Sequence, residues 1–247
     1  EVGLSDFIVQ ICLIFILAGL VKGIVGFGLP TIGIGLGALI SDIPTAMMLI
    51  LVPTFLTNIT QIWSTGSLVD VMTKSWAFLL GSVLLVPFGL WLVVSTPAFP
   101  FERVLGLTIL IYSLASLKGF NPVMQIQHNH RLGMGLGLMN SVLTGMTGSM
   151  SVPGVMYLRS LQLSKDDLLC AMGVLFLIST IAMGVSLWWF KRVTEDLSIL
   201  SVAMCLPVGL GVWFGGWLRR ALSEDQFKQI FLYAFAVLGA YLTVVGG

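Results

Sequence analysis

The chain has 247 residues, 57% of them hydrophobic and only 9% charged, with a formal net charge of +1. A soluble domain carries roughly a quarter charged residues, so this composition describes an integral membrane protein with the lipid bilayer as its first partner. The few cations lie near the ends of apolar segments, which argues against nucleic acid, and Cys12, Cys170 and Cys205 lack the spacing of a metal site or a disulfide framework.

A bilayer-spanning helix needs about 20 apolar residues. Read between polar breaks, the first part of the chain gives Leu4–Phe27, Thr31–Ile40, Thr45–Trp63, Ser75–Val94 and Val104–Leu117. A polar linker over Lys118–Arg131 follows, and then Leu132–Thr147, Met150–Leu158, Leu168–Phe190, Leu197–Leu218 and Phe227–Val245. The first run has no basic start and no A-x-A end, so it reads as a span and not as a cleaved signal peptide. Trp63, Trp76, Trp188, Trp189 and Trp217 sit near segment ends, where interfacial anchors belong. Asp42 is placed to cap the helix near Pro44, and Asp166 and Asp167 to cap the one from Leu168.

Thr31–Ile40 and Met150–Leu158 are too short to span, and each follows a glycine-rich interruption. The first, GLVKGIVGFGLPTIGIGLG, runs from Gly19 to Gly37 with Pro30 after its tightest cluster and Lys22 as its one charge. Glycine lets the backbone leave helical dihedrals and proline removes an N–H, so the helix is predicted to break over Gly26–Pro30. The second, GLGLMNSVLTGMTGSMSVPG, runs from Gly135 to Gly154. Broken backbone at membrane depth is tolerated only inside protein or along a cavity, so both breaks are candidate binding sites.

The second interruption repeats the first. Gly28 aligns with Gly148 at an offset of 120, Pro30 with Pro153 at 123, Thr57-Asn58 with Ser179-Thr180 at 122, and Pro87-Phe88-Gly89 with Pro207-Val208-Gly209 at 120. The chain therefore reads as two homologous transmembrane repeats, residues 1–120 and 131–247, joined by the linker at 121–130. Paired interrupted segments in corresponding halves are the best sequence pointer to a transporter site. Counting each half-helix as a crossing gives five segments per repeat and puts Lys74, Lys118, Arg131, Arg159, Lys165, Arg219, Arg220 and Lys228 on one side, against Arg103, Lys191 and Arg192, a split of 8 to 3. Counting each pair as one crossing splits the cations 5 to 6. Because Lys and Arg concentrate on the cytoplasmic side, the first scheme is preferred: an all-α polytopic fold with inverted 5+5 repeats and both termini outside.

The glycine cluster with a following proline in each half, GIVGFGLP and GMTGSMSVP, together with the later Pro87/Gly89 and Pro207/Gly209, resembles the sulfite exporter TauE/SafE family of membrane permeases. The resemblance covers nearly the whole chain. It implies a secondary transporter, not an enzyme, in a bacterial-type inner membrane, moving a small sulfur-containing or organic anion such as sulfite or a sulfonate.

Residue chemistry points independently to an anion. A broken helix offers unpaired N–H groups backed by a positive dipole end, and two such ends near the midplane would hold an oxyanion without full charges. Beside the breaks stand Gly26 and Gly28, then Gly145 and Gly148, with Thr31 after the first and Ser149, Met150 and Ser151 after the second. Thr57, Asn58 and Gln61 in one half, and Asn140, Ser141, Thr144 and Thr147 in the other, could line the same space. Lys22 is the sharpest single candidate, since an intramembrane lysine is functional by default, although it could snorkel to the interface. Glycines and hydroxyls in membrane helices also serve packing and local backbone bonding, and Gly33, Gly35 and Gly37 fit that role equally well. Arg159 reads as a boundary cation, and His128 and His130 as linker residues.

The sequence places no carboxylate in mid-span, so no carboxylate proton relay is expected; coupling to protons or to sodium stays open, no cofactor is implied, and a homo-oligomer is one way to cover bare apolar faces. The alternatives are an anion channel on the same scaffold, which should show a continuous polar stripe that no span clearly displays, and a transporter of a non-sulfur carboxylate.

Overall fold

The computed structural model describes residues 4–119, 129–221 and 224–245. Among these the chain forms twelve helical segments and no strand. The first six are α1 (Leu4–Val25), α2 (Leu29–Gly37), α3 (Ile43–Ser64), α4 (Leu68–Leu84), α5 (Val86–Ser95) and α6 (Phe101–Leu117). The second six are α7 (His130–Thr147), α8 (Gly154–Ser160), α9 (Lys165–Trp189), α10 (Glu195–Ala203), α11 (Cys205–Ala221) and α12 (Glu224–Val245). Five stretches are long and apolar enough to cross a bilayer: Ser5–Val25, Ile43–Ser64, Leu68–Ser95, Lys165–Trp189 and Glu195–Arg219. The five tryptophans at the predicted segment ends are all exposed. His128 and most of the predicted linker lie outside the described residues, while His130 opens α7 with its ring 5.3 Å from that of Trp76.

Proline shapes three of the spans. α4 and α5 form one span interrupted at Leu85, and α10 and α11 another interrupted at Met204, each just ahead of a proline, Pro87 and Pro207. The proline ring has no N–H to give and collides with the carbonyl one turn back, so the helix kinks there. Pro53 does the same inside α3, and the repair is visible: the Ser201 hydroxyl on α10 donates to the Leu49 carbonyl at 3.0 Å and accepts the Val52 N–H at 3.2 Å. At the other kink the Leu85 N–H finds the Ser141 hydroxyl at 3.2 Å.

Local capping agrees with the sequence at α3, where the Asp42 carboxylate accepts the Thr45 N–H at 2.9 Å. At α9 it differs. The cap is Ser164, whose hydroxyl accepts the Asp167 N–H at 3.1 Å, and the acids predicted to cap fall in the first turn, where they still favour the positive end of the helix.

The helices pack pairwise across the chain. α1 lies along α11 in the same direction, with Gly19 against Val208 and Gly23 against Val212; a methyl on either glycine would collide with those carbonyls. α7 lies along α4 and α5 in the same way, through Gly137 on Phe78 and Gly145 on Val86 and Gly89. α3 instead runs antiparallel to α9, with Gly173 beside Gln61 and Ile62 and Gly184 beside Leu51. α6 runs antiparallel to α12, with Gly106 beside Thr243 and Gly239 beside Leu110. Lipid is as apolar as a leucine face, so close backbone approach at small residues is what holds such pairs together. Gly19 and Gly23 are thus helix-packing residues inside α1, while the chain leaves the helix only at Gly26 (φ 86°) and Gly28 (φ 96°).

Candidate functional site

The first break ends α1 at Val25 and starts α2 at Leu29, with Gly28 left-handed at the N-cap position and no side chain capping it. The second break is longer: α7 stops at Thr147, Gly148 is left-handed (φ 66°), and α8 begins only at Gly154. Ser149, Met150 and Ser151 therefore belong to the connecting segment, not to the expected half-helix N-terminus, because Pro153 defers the helix start.

The two breaks meet. The Thr31 hydroxyl lies 2.9 Å from that of Ser151 and 3.3 Å from that of Ser149. Around this junction the Ser149 N–H donates to the Thr147 hydroxyl at 3.2 Å, and the Thr144 hydroxyl reaches the Ser149 carbonyl at 3.4 Å. All of these residues are buried. Gly148 sits beneath Ile34 and Met47, and Gly26 beneath Leu169, so a side chain at either glycine would meet a neighbour as well as an unfavourable dihedral.

On one side of the junction opens a cavity of about 320 Å³, lined by Lys22, Gly23, Gly26, Thr57, Thr60, Gln61, Ser64, Thr65, Leu169, Val212 and Arg219. Lys22 is 5% exposed, and its ammonium donates to the Asn58 carbonyl oxygen. The Gln61 amide donates to the Leu169 carbonyl at 2.8 Å. The cavity thus carries two cationic side chains, one amide and four hydroxyls, each hydroxyl donating to a backbone carbonyl of α3, on a wall that is otherwise apolar. Arg159 on α8 lies over the first break, its guanidinium 5.9 Å from the centre of the Phe27 ring.

The sulfite exporter TauE/SafE family matches residues 11–242, nearly the whole chain. The chain belongs to this family. No curated protein and no solved structure matches it. As a member of the TauE/SafE family it is a membrane transporter protein of the sulfite and anion exporter class.

Within this TauE/SafE chain the predicted site residues fall into two groups. Lys22, Gly26 and Gln61 face the cavity, with Asn58 behind Lys22. Thr31, Thr144, Thr147, Gly148 and Ser149 form the junction, with Gly28 at its edge and Met150 packed in the core. Asn140 stands apart, fully buried, with its carbonyl oxygen turned toward Gly154. Polar atoms left without a partner among the described residues include both side-chain atoms of Asn140, the Asn58 amide nitrogen and the Thr54 and Ser179 hydroxyls. Groups of this kind are rare in protein interiors and ask for a water, an ion or a substrate.

Sequence reading passed over part of the cavity wall: Thr60, Ser64 and Thr65. With the expected Thr57 and Gln61, Ser64 recurs at helical spacing on one face of α3, with Thr60 beside it, a local polar stripe over its C-terminal half. Apolar Ile59 and Ile62 between them hide it in a linear scan.

Proposed function

We propose that this protein carries a small oxyanion, sulfite or a sulfonate, across the inner membrane by alternating access. The observation that carries the reading is Lys22: a buried basic side chain on the wall of a cavity, beside a helix break, with a neutral carboxamide as its partner. A cation so placed attracts anions and disfavours cations by several kcal/mol at a partly desolvated site, on the order of 1–4 kcal/mol per contact. The second N–H of the Gln61 amide is then the neutral donor left for another oxygen of a three-oxygen head group, because the Thr57 and Thr60 hydroxyls donate to the Pro53 and Thr57 carbonyls.

The same reading takes the fold as two inverted repeats. Its support is the antiparallel packing of α3 on α9 and of α6 on α12, alongside the reciprocal pairing of α1 with α11 and α7 with α4 and α5. A two-fold axis perpendicular to the helices generates that pattern. The offset also pairs Gly26 on Leu169 with Gly148 on Met47. At the related positions the two halves differ: Thr57, Gln61 and Ser64 border the cavity, whereas Ser179, Met183 and Ser186 are buried. One side open and its image closed is what a carrier paused in one state presents. The charge count then assigns the open side, with Lys165 and Arg219, to the cytoplasm and both termini to the outside.

A thermal-shift screen of the detergent-purified protein with sulfite, sulfate, isethionate, taurine and simple carboxylates tests the proposal. A ligand that binds only the folded state raises Tm by mass action. Stabilisation by sulfite or a sulfonate that is lost in Lys22→Ala is expected. Stabilisation by a cation alone would overturn the reading.

A further inference from the structure

The packing around the two breaks repeats residue by residue. Gly23 on α1 lies against the Val212 carbonyl and Gly215 of α11, and Gly145 on α7 lies against the Val86 carbonyl and Gly89 of α5. Gly26 to Gly148 and Met47 to Leu169 are each 122 residues apart, and Gly26 touches Leu169 as Gly148 touches Met47. The N-caps of α3 and α9, Asp42 and Ser164, keep the same offset of 122. Val86 to Val212 and Gly89 to Gly215 are each 126 apart, so in the packing Gly215, not Gly209, takes the place of Gly89. Through these offsets the cavity residues Lys22, Thr57, Gln61, Ser64 and Arg219 correspond to Thr144, Ser179, Met183, Ser186 and Val93. Every member of the second set is buried.

Polar groups in this second set lack partners. The Ser179 hydroxyl is fully buried and unbonded among the described residues, whereas its equivalent, Thr57, donates to the Pro53 carbonyl at 2.8 Å. Asn140, one helical turn before Thr144 on the same face of α7, is fully buried with neither polar atom paired. Such groups are rare in protein interiors, and access to water or to an anion supplies what they lack. We propose that these residues line the outer half of the anion pathway: a second cavity, the image of the first, opens around Ser179 and Met183 when the first closes, and the anion leaves through it past the Asn140 carboxamide. The proposal rests on the transport reading above. Met47, seated on Gly148, stands there where Leu169 stands in the first cavity. The second set carries no cation, with Thr144 in place of Lys22 and Val93 in place of Arg219. A small oxyanion meets only hydroxyls and a carboxamide on that side, which makes it the side of release and the Lys22 cavity the side of capture.

The test reads access at Ser64 and at its equivalent, Ser186. In a background with Cys12, Cys170 and Cys205 replaced by alanine, Ser64→Cys and Ser186→Cys are each treated with a membrane-impermeant maleimide in right-side-out and inside-out membrane vesicles. The two cysteines should react from opposite faces. Ser186→Cys should react more slowly than Ser64→Cys by about ten- to a thousandfold, since a minor conformation is populated at about 0.1–10%. It should still react faster than Ser113→Cys, buried on α6, which packs on α12. Once excess reagent is removed, sulfite flux through labelled Ser186→Cys should be lost. Reaction from the same face as Ser64→Cys, or no faster than Ser113→Cys, in a variant that carries sulfite would overturn the exit while leaving transport standing. The wild-type protein gives a second reading that needs no variant to fold. Peroxide, applied without sulfite, should convert buried Met47 and Met183 to sulfoxides faster than Met204, equally buried at the α10 kink. Equal rates at the three methionines would also overturn the exit. Absence of sulfite flux through the wild-type protein would overturn the transport reading and the exit with it.

Discussion

The Thr31 hydroxyl on α2 lies 2.9 Å from the Ser151 hydroxyl in the second break, 120 residues further along the chain. This contact ties the two interruptions into one junction. A buried hydroxyl pair contributes about 0.5–1.5 kcal/mol net. In a double-mutant cycle of Thr31→Ala and Ser151→Ala, the coupling in unfolding free energy should fall in that range. A coupling near zero would mean that the two breaks are held together by packing alone.

Removing the charge from the cavity should weaken binding more than folding. For Lys22→Ala, anion affinity is expected to drop by about tenfold or more, since a charge-assisted contact is typically worth 1.5–3 kcal/mol. The folded protein should tolerate the change, because an under-compensated buried cation is itself destabilising. Isothermal titration with sulfite, beside a melting curve of the same sample, reads both quantities. Unchanged affinity would reduce Lys22 to a side chain reaching for the interface.

The breaks themselves were legible because glycine and proline act on the backbone directly: Gly26, Gly28 and Gly148 take the left-handed dihedrals their clusters foretold. Boundaries were less so. Met150–Leu158 was expected as a half-helix, but Pro153 moves the start to Gly154. Small residues also serve two purposes that look alike in a linear string. Gly19 and Gly23 lie in the same cluster as Gly26, yet they lock α1 onto α11, a role that needs the partner helix to be seen. The bond from Ser201 to the carbonyl left open by Pro53 spans 152 residues, and no local pattern announces it.

The paired Pro-x-Gly motifs provide an internal contrast. Gly89 is wedged against Val142 and Gly145, whereas Gly209 has nothing within 4 Å of where a methyl would sit. Gly89→Ala should therefore destabilise by about 1–3 kcal/mol through overpacking. Gly209→Ala should be neutral or stabilising by up to about 1 kcal/mol, the helix-propensity difference. Melting in detergent distinguishes them, and equal losses would contradict the packing assigned to α5 and α7. Gly148→Val combines a left-handed dihedral with a collision against Ile34, so it should abolish sulfite flux in liposomes while the protein still inserts.

Ser201 repairs the α3 kink from a different helix, so its loss should register as stability and not as altered selectivity. Ser201→Ala leaves the Leu49 carbonyl and the Val52 N–H without their shared partner. An unsatisfied buried group costs about 1–3 kcal/mol. A Tm fall of several degrees is expected, with the order of preference among anions unchanged. A change in that order would place α10 closer to the substrate path than its packing suggests.

Asn140 separates stability from function most sharply. Its side chain is fully buried on α7, both polar atoms lack a partner among the described residues, and its oxygen faces Gly154. A carboxamide kept in that condition weakens the resting fold. Asn140→Leu, with the same heavy-atom count and branching and free of polar atoms, should raise the stability of the ligand-free protein by about 1–3 kcal/mol, the ordinary penalty for an unpaired buried amide. If the amide receives substrate or an essential water during transport, the same substitution should suppress flux by about tenfold or more, the trade expected where a site is held at the expense of stability. Melting temperature and vesicle flux measured on one preparation give both answers. A loss of stability would make Asn140 a packing residue, and a gain with full flux would remove it from the transport path.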